Sequence, residues 1–172
     1  MVTLQEDGSV WTTGQNDCGQ LGDGSTTERT AFVQVISRGA RAVAAGVCHS
    51  LVLKQDGSVQ VAGRNNYGQL GNAPSYGEKS FVTVIWAGVR VVAAGAWHSM
   101  VVKEDGSLWV TGRNEFGQLG DGTTTDSDRF VQVVSTGVQT VGAGVSHSVM
   151  LKQDGSVWST GICLKTKRKM SL

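Results

Sequence analysis

Short apolar runs alternate with polar, glycine-containing segments along the chain, and this pattern predicts strands rather than helices. One kind of run is apolar throughout, as at 51–53 and 100–102, which indicates a strand buried on both faces. Another kind alternates apolar and polar positions, as at Val59 and Val61, which is typical of a strand with one buried face. The 24 glycines and the single proline also favour short strands joined by turns.

The pattern returns every 49 residues, with no insertion or deletion between copies. A regular period of this length is the signature of a repeat architecture. Three markers keep the spacing: Asp-Gly-Ser at Asp7, Asp56, Asp105 and Asp154, Gly-x-Asn-x-x-Gly-Gln-Leu-Gly at Gly14, Gly63 and Gly112, and Gly-x-x-His-Ser around His49, His98 and His147.

Each period is interpreted as four strands. The first is small and apolar, as in 43–45, which suits an innermost position where sheets converge. The buried second strand is followed by an Asp-Gly pair, which predicts a type I′ hairpin turn because both central residues of that turn need positive φ. The alternating third strand leads into the Gly-Gln-Leu-Gly loop, and a short apolar run such as 33–35 forms the fourth strand.

A four-stranded antiparallel meander repeated at this length predicts an all-β fold of β-propeller blades. One blade cannot bury both of its faces alone, so neighbouring blades must stack. The predicted organisation is a propeller-repeat region at 1–161, with blades at about 1–37 (partial), 38–86, 87–135 and 136–161 (partial), and a divergent basic tail at 162–172.

The motifs together resemble the repeat of the regulator of chromosome condensation family over residues 1–161. A kelch repeat has a similar period, but no Gly-Gly pair occurs here, and the Trp-Asp pair of another propeller repeat is also absent from the sequence. The resemblance implies a seven-bladed ring, of which this chain would form about half. We therefore expect a fragment of a longer protein, or a truncated gene model, with two apolar blade faces left unpaired.

The resemblance also implies a function in binding proteins. The family includes the nucleotide exchange factor for the small nuclear GTPase Ran and several scaffold propellers, so the repeat itself selects no single activity. Our first hypothesis is a non-enzymatic, protein-binding scaffold module. The alternative is a guanine nucleotide exchange factor for a small GTPase.

Charge and hydropathy bear on whether the protein binds nucleic acid or a membrane. The net charge of +1 depends on four basic residues of the tail, Lys165, Lys167, Arg168 and Lys169, without which 11 basic residues face 14 acidic ones. A nucleic-acid partner is therefore not expected for the repeats, although the tail itself resembles a localisation signal or a disordered terminus. No signal-peptide pattern and no apolar run of membrane-spanning length is found, and we expect an intracellular protein, cytoplasmic or nuclear, with no membrane partner.

The repeated polar residues predict structure rather than chemistry. His49, His98 and His147 occupy equivalent turns of different blades with no repeated cysteine or carboxylate beside them, so they are interpreted as structural residues that bond backbone groups. The hairpin residues Asp56, Asp105 and Asp154 are interpreted in the same way. Because the glycine loops lack a following Lys-Ser/Thr, no nucleotide site is expected. We predict no catalytic residue, metal, cofactor or small-molecule substrate.

The repeats differ from one another at two cysteines and in the loops before the fourth strands. Cys18 stands where other copies have Tyr67 and Phe116, and Cys48 stands where they have Trp97 and Ser146. Both cysteines are interpreted as local substitutions, with neither a disulfide framework nor a metal site expected. The loops before the fourth strands also vary, and propellers bind partners through such loops. The predicted partner contacts lie in two of these loops: Tyr76, Glu78 and Lys79, and Asp126, Asp128 and Arg129.

Overall fold

The structure is a computed structural model that describes residues 1–73 and 75–162, and its strands in these residues form four antiparallel sheets. Within each sheet, strands adjacent in sequence are adjacent in space. Sheet I contains β1 (Val2–Leu4), β2 (Val10–Gly14) and β3 (Arg29–Ile36). Sheet II contains β4 (Ala40–Ala45), β5 (His49–Lys54), β6 (Val59–Arg64) and β7 (Gly77–Ile85). Sheet III contains β8 (Val89–Ala94), β9 (His98–Lys103), β10 (Leu108–Gly112) and β11 (Ser127–Val134), and sheet IV contains β12 (Val138–Ala143), β13 (His147–Lys152) and β14 (Val157–Gly161).

The order of the strands confirms the blade predicted from the sequence. Strands β4, β8 and β12 are the small, apolar first strands, and they contact the neighbouring sheets at the inner edge where the sheets converge. The described residues contain no helix, and so none that is long and apolar enough to cross a membrane. Apart from Ile162, the predicted tail at 162–172 lies outside the described residues.

The core lies between sheets. Val101 of β9 belongs to a buried cluster shared with sheet II, whereas its neighbours Met100 and Val102 belong to a cluster shared with sheet IV. A third cluster joins sheets I and II through Val10 and Val52. Because alternate side chains of one strand point to opposite faces, a strand between two neighbouring sheets must be apolar throughout. This explains the unbroken apolar run in β9.

Val157, the first residue of β14, shows that the first residue of a third strand is buried by the following sheet. The equivalent residues Val10, Val59 and Leu108 are at most 3% exposed, whereas Val157 is 67% exposed. Within the described residues, no sheet packs on the outer side of sheet IV. A repeat of this sequence therefore leaves a second apolar face that only a neighbour can bury.

The Asp-Gly hairpins differ from the turn predicted from the sequence. In the described residues only glycines have positive φ, so Asp56 and its equivalents cannot occupy a type I′ turn, and that prediction was wrong. Instead, the Gly57 N–H donates to the Lys54 carbonyl at 3.0 Å, and Gly57 alone has positive φ, at 80°. This is the three-residue hairpin closed by a glycine bulge. The Asp56 carboxylate accepts from the Ser58 N–H at 2.9 Å, and hydrogen bonds from the Ser58 hydroxyl and backbone lower its pKa.

A second bulge lies near the end of the third strand in sheets I, II and III. The register between β6 and β7 shifts between Val61 and Gly63, and Gly63 has a φ of 114°. A Cβ on Gly63 would lie 2.2 Å from the Cys48 carbonyl oxygen, so only glycine fits here. The bulge turns the chain out of the sheet and starts the long loop before the fourth strand.

Candidate partner-binding face

The connections of an antiparallel sheet leave alternately from its two ends, which divides the loops into two groups. At one end, backbone bonds join the turns after the first strands to the loops after the third strands, as where Arg64 N–H donates to the Cys48 carbonyl at 2.8 Å. We call this end the loop face, and the end that carries the Asp-Gly hairpins the hairpin face. The loop face consists of turns 46–48, 95–97 and 144–146 and loops 15–28, 64–73 with 75 and 76, and 113–126.

The repeated histidines lie at the base of the loop face and link adjacent sheets. His49 Nε2 lies 3.0 Å from the Ser99 hydroxyl of the next sheet, and that hydroxyl donates to the Gln69 carbonyl at 2.7 Å. We call each such histidine–serine–carbonyl set a clamp. The second clamp, between sheets III and IV, consists of His98, Ser148 and Gln118, with distances of 2.9 and 2.7 Å.

The clamp fixes the tautomer of its histidine. A serine hydroxyl has one proton, and Ser99 uses it toward the Gln69 carbonyl, so the hydroxyl oxygen must accept from His49. The proton of neutral His49 is therefore on Nε2, and its Nδ1 has no hydrogen-bond partner among the described residues. For His49 and His98 the observed partner is a serine side chain of the next sheet, where the sequence analysis expected backbone groups.

The clamp histidines are buried in their neutral form. Burial, followed by the neighbouring His98, lowers the pKa of His49 to about 4, and burial followed by His147 lowers the pKa of His98 to about 4. Gly46 packs directly on the His49 ring, since a Cβ there would stand 2.3 Å from the ring's Cε1. The recurring glycine, histidine and serine thus form one structural unit. No group of three metal-ligating side chains occurs in residues 1–73 and 75–162.

Buried asparagines hold the long loops in shape. The Asn114 side-chain oxygen accepts from Leu119 N–H at 2.9 Å, and its amide nitrogen donates to Asp121 Oδ1 at 3.0 Å and to the Thr123 carbonyl at 3.1 Å. Asn16 and Asn65 make the equivalent bond to the leucine of their own loops, at 3.0 and 2.8 Å. The sequence showed these asparagines as part of a motif, but their role in bracing the loop was missed. These asparagines therefore brace the loops of the loop face from within.

A cleft of about 330 Å³ opens between sheets II and III on this face. Its walls carry two tyrosine side chains, Tyr67 and Tyr76, and two carboxylates, Asp126 and Asp128. Tyr76 is 88% exposed, and both aspartates are exposed. Asp126 keeps its position because its Oδ1 accepts from the Asn114 N–H at 2.7 Å. The cleft thus presents aromatic rings and negative charge together.

The structure separates the predicted contact residues into two groups. Tyr76, Asp126 and Asp128 line the cleft. The other three lie near the starts of strands, Glu78 and Lys79 in β7 and Arg129 in β11, and make contacts within the protein. Glu78 Oε1 accepts from Asn72 Nδ2 at 2.9 Å and Ser75 Oγ at 2.8 Å, the Lys79 carbonyl accepts from Gly24 N–H at 2.9 Å, and Arg129 forms a β-bridge with Asn72.

Beside the cleft, an aromatic pair joins sheets II and III. The rings of Tyr67 and Trp97 meet edge to face, with centroids 5.7 Å apart and planes at 69°. The Arg113 guanidinium lies 5.1 Å from the Tyr67 centroid and 5.8 Å from that of Phe116, and it pairs with Glu115. These contacts fix the orientation of Tyr67 at the edge of the cleft.

The equivalent pair between sheets I and II consists of Cys18 and Cys48. Both are free thiols and half-buried. Burial first, and then a direct side-chain interaction with Cys18, raises the pKa of Cys48 to about 11. The sequence reasoning treated these cysteines separately. Their alignment with Tyr67 and Trp97 is the signal by which their proximity could have been found.

Two family models match the chain, both described as regulator of chromosome condensation (RCC1) repeat. One covers residues 7–53 and 105–151, and the other covers residues 40–69 and 89–118. The first model alone accounts for more than half of the chain. The search of curated proteins returned no significant match.

Solved structures show the same fold. The structure of Kap60 bound to yeast RCC1 (Prp20) matches at 22% identity and a TM-score of 0.80, over 93% of this chain and 41% of the other. Human WBSCR16 matches at 24% identity and a TM-score of 0.81, over 93% of this chain and 44% of the other. The structure of Prp20p from Saccharomyces cerevisiae comes from a study of its binding to Gsp1p and histones. It matches at 24% identity and a TM-score of 0.74, over 94% of this chain and 42% of the other. The chain therefore spans less than half the length of these relatives, in agreement with the predicted partial ring.

Proposed function

Because the chain belongs to the regulator of chromosome condensation (RCC1) repeat family, we propose that it is a non-enzymatic propeller module that binds a protein partner through its loop face. The cleft between sheets II and III is the observation that carries the proposal. It combines exposed Tyr76 with the carboxylates of Asp126 and of Asp128, which lies at the start of β11, and buried asparagines brace the loops beside it. Function placed on loops of a rigid scaffold is the usual design of propellers.

The cleft's chemistry points to a partner segment that carries positive charge. A lysine or arginine side chain in the cleft would meet two carboxylates and two tyrosine side chains. The same carboxylates would repel a phosphate backbone or an acidic lipid surface, so nucleic acid and membranes are poor partners for this site. Rigid loops favour binding, because little conformational entropy is lost on association.

A direct test uses fluorescence anisotropy with a labelled arginine-rich peptide and an acidic peptide of the same length. We expect the protein to bind the basic peptide and not the acidic one, and the binding to weaken as salt is added. Changing Asp126→Asn and Asp128→Asn together removes both charges, while the amide oxygen at 126 still accepts from Asn114. We expect this variant to lose about tenfold or more in affinity.

The matched control changes the hairpin face. Trp86 is 79% exposed and Glu6 is exposed, so Trp86→Ala and Glu6→Gln remove an aromatic ring and a charge without touching the cleft. This control should bind the basic peptide as the unmodified protein does. Equal binding of both peptides, or an equal loss in the control, would show that the cleft is not the binding site.

The alternative function is nucleotide exchange on a small GTPase, which the family resemblance and the shared fold of Prp20p support. It is tested by the release of fluorescent GDP from a panel of small GTPases. Release above the spontaneous rate would establish exchange activity and overturn the proposal that the protein is only a binding module. The proposal also places the protein inside the cell, in the cytoplasm or nucleus, where two half-buried thiols remain reduced under resting conditions.

A further inference from the structure

Cys18 and Cys48 lie on opposite sides of one boundary between sheets, and we propose that they form a reversible disulfide that joins sheet I to sheet II on the loop face. Both thiols are free in the structure. The proposed site does not depend on the partner that the cleft binds.

The first argument is the equivalence of positions. Cys18 occupies the place of Tyr67 in the repeat, and Cys48 occupies the place of Trp97, each 49 residues earlier. At the boundary between sheets II and III, side chains at these two places are in contact, with ring centroids 5.7 Å apart. The same two places at the boundary between sheets I and II hold the two cysteines.

The second argument is that identical bonds hold the backbone at both boundaries. The Ser50 hydroxyl donates to the Gln20 carbonyl at 2.8 Å, as Ser99 does to Gln69 at 2.7 Å. Ser50 comes two positions after Cys48, and Gln20 comes two positions after Cys18. The Cys18 N–H donates to the Gln20 side-chain oxygen at 2.9 Å, and the Tyr67 N–H makes the equivalent bond to Gln69 at 3.0 Å. The two cysteine positions are therefore held by the same bonds as the positions of Tyr67 and Trp97, at the equivalent place on the neighbouring boundary.

The third argument is electrostatic. After burial, the neighbouring Cys18 thiol is the next cause that raises the pKa of Cys48, which agrees with the two side chains lying close together. Both residues are half-buried, so a small oxidant can reach them while the protein stays folded. Because Cys48 is protonated at neutral pH, formation of the bond should be slow at pH 7 and faster as the pH rises.

The oxidant class is a low-molecular-weight disulfide such as oxidised glutathione. One cysteine, as its thiolate, attacks a sulfur of oxidised glutathione, which gives a mixed disulfide and releases one glutathione thiolate. The second cysteine then attacks the protein sulfur of the mixed disulfide, forms the Cys18–Cys48 bond and releases the second glutathione. The two protein thiols lose two electrons and two protons, and both are recovered in two molecules of reduced glutathione.

The test uses the full chain with Cys163→Ser, so that only Cys18 and Cys48 can react. The protein is equilibrated with oxidised glutathione at pH 8 and its intact mass is measured. We expect a loss of about 2 Da, which is the mass of the two hydrogens removed. Trypsin cleaves after Arg29, Arg38 and Arg41, so the cysteines lie on different peptides, and a cross-linked pair identifies the bond. Reduced glutathione in excess should reverse the change.

A second measurement links the bond to the fold. The oxidised protein should melt several degrees above its reduced form, because the bond restricts the unfolded chain. Variants with Cys18→Ser or Cys48→Ser in the same background should show neither the mass loss nor a redox-dependent melting temperature. The proposal is overturned if glutathione stays attached to one or both cysteines without a cross-link, if the bond forms between two molecules, or if neither thiol reacts.

Discussion

The boundaries between sheets I and II and between sheets II and III share a serine-to-carbonyl hydrogen bond, the second boundary adds a histidine bonded to that serine, and the side chains at their outer edges differ. In both, a serine hydroxyl donates to a loop carbonyl, at 2.8 Å from Ser50 and 2.7 Å from Ser99. At the edge, one boundary pairs two thiols and the other pairs Tyr67 with Trp97. The recurring polar residues therefore fix how sheets dock, and the side chains beside them are free to differ. Individual properties of a boundary must come from those variable pairs.

The largest expected effect tests the clamp histidines, which bond across the boundaries between sheets II and III and between sheets III and IV. The pKa of His49 and of His98 falls from the ordinary histidine value of 6.5 to about 4 in the folded protein. Below pH 6.5 the two histidines become protonated in the unfolded chain but stay neutral in the folded protein. The free energy of unfolding therefore falls as the pH falls from about 6.5 to 4. The loss at pH 4 is about 3 kcal/mol for each histidine, or about 6 kcal/mol together. Urea unfolding between pH 7 and 4 measures it.

The control for this titration is a protein with His49→Gln and His98→Gln. The glutamine amide can still donate to the serine hydroxyl, but it does not titrate. We expect its unfolding free energy to vary much less between pH 7 and 4. The hairpin aspartates, whose pKa values are lowered by hydrogen bonds from serines, lose their contribution only below about pH 4, in a separate window. A flat profile for the unmodified protein would contradict the clamp histidines' role.

The next largest effect comes from overfilling the boundary between sheets II and III. Gly46→Ala places a Cβ 2.3 Å from His49 Cε1 and 2.5 Å from the Gly95 carbonyl oxygen. We expect a loss of about 3 kcal/mol, because the ring and the backbone cannot both move aside. Gly142→Ala is the matched control, since nothing lies within 4 Å of a Cβ there. It should be neutral or slightly stabilising in chemical denaturation, and an equal loss at both sites would remove the steric explanation.

Two serine variants compare the boundaries directly. Ser99→Ala leaves both the His49 N–H and the Gln69 carbonyl without their partner, and we expect it to cost about 2 to 3 kcal/mol. Ser50→Ala leaves only the Gln20 carbonyl unpaired in the described residues, and we expect about 1 kcal/mol less. Both are measured by chemical denaturation. Equal costs would mean that the histidine adds nothing to the serine–carbonyl bond.

The smallest expected effect concerns the variable pair. A double-mutant cycle with Tyr67→Ala and Trp97→Ala should give a coupling free energy of about 1 kcal/mol, as expected for an edge-to-face pair. The same cycle at Cys18 and Cys48, with both thiols reduced, should give a smaller coupling. Coupling of the same size at both boundaries would show that the outer pairs are energetically equivalent.

The period alone was enough to predict the sheets, their strand order and the buried second strand. It could not give the turn geometry, since Asp-Gly is compatible with both hairpin types and the choice depends on the φ of Asp56. It also could not give the bonds between sheets. His49 and Ser99 are distant in sequence and meet only when two sheets stack. For the candidate site, the loops carrying Tyr76 and Asp126 were found because they vary, whereas the internal bonds of Glu78 and Arg129 form only in the folded loops and could not be foreseen. Partner contact at these residues stays a prediction.

The clamp has a consequence for how such a protein can change in length. Each repeat supplies a histidine and a loop carbonyl to the sheet that follows it, and a serine to the sheet that precedes it. A duplicated unit of 49 residues would therefore arrive with every group needed to bond on both sides. A gene can gain or lose whole repeats of this kind without redesigning either neighbour, whereas an insertion of any other length inside a strand would displace the side chains that meet the adjacent sheet.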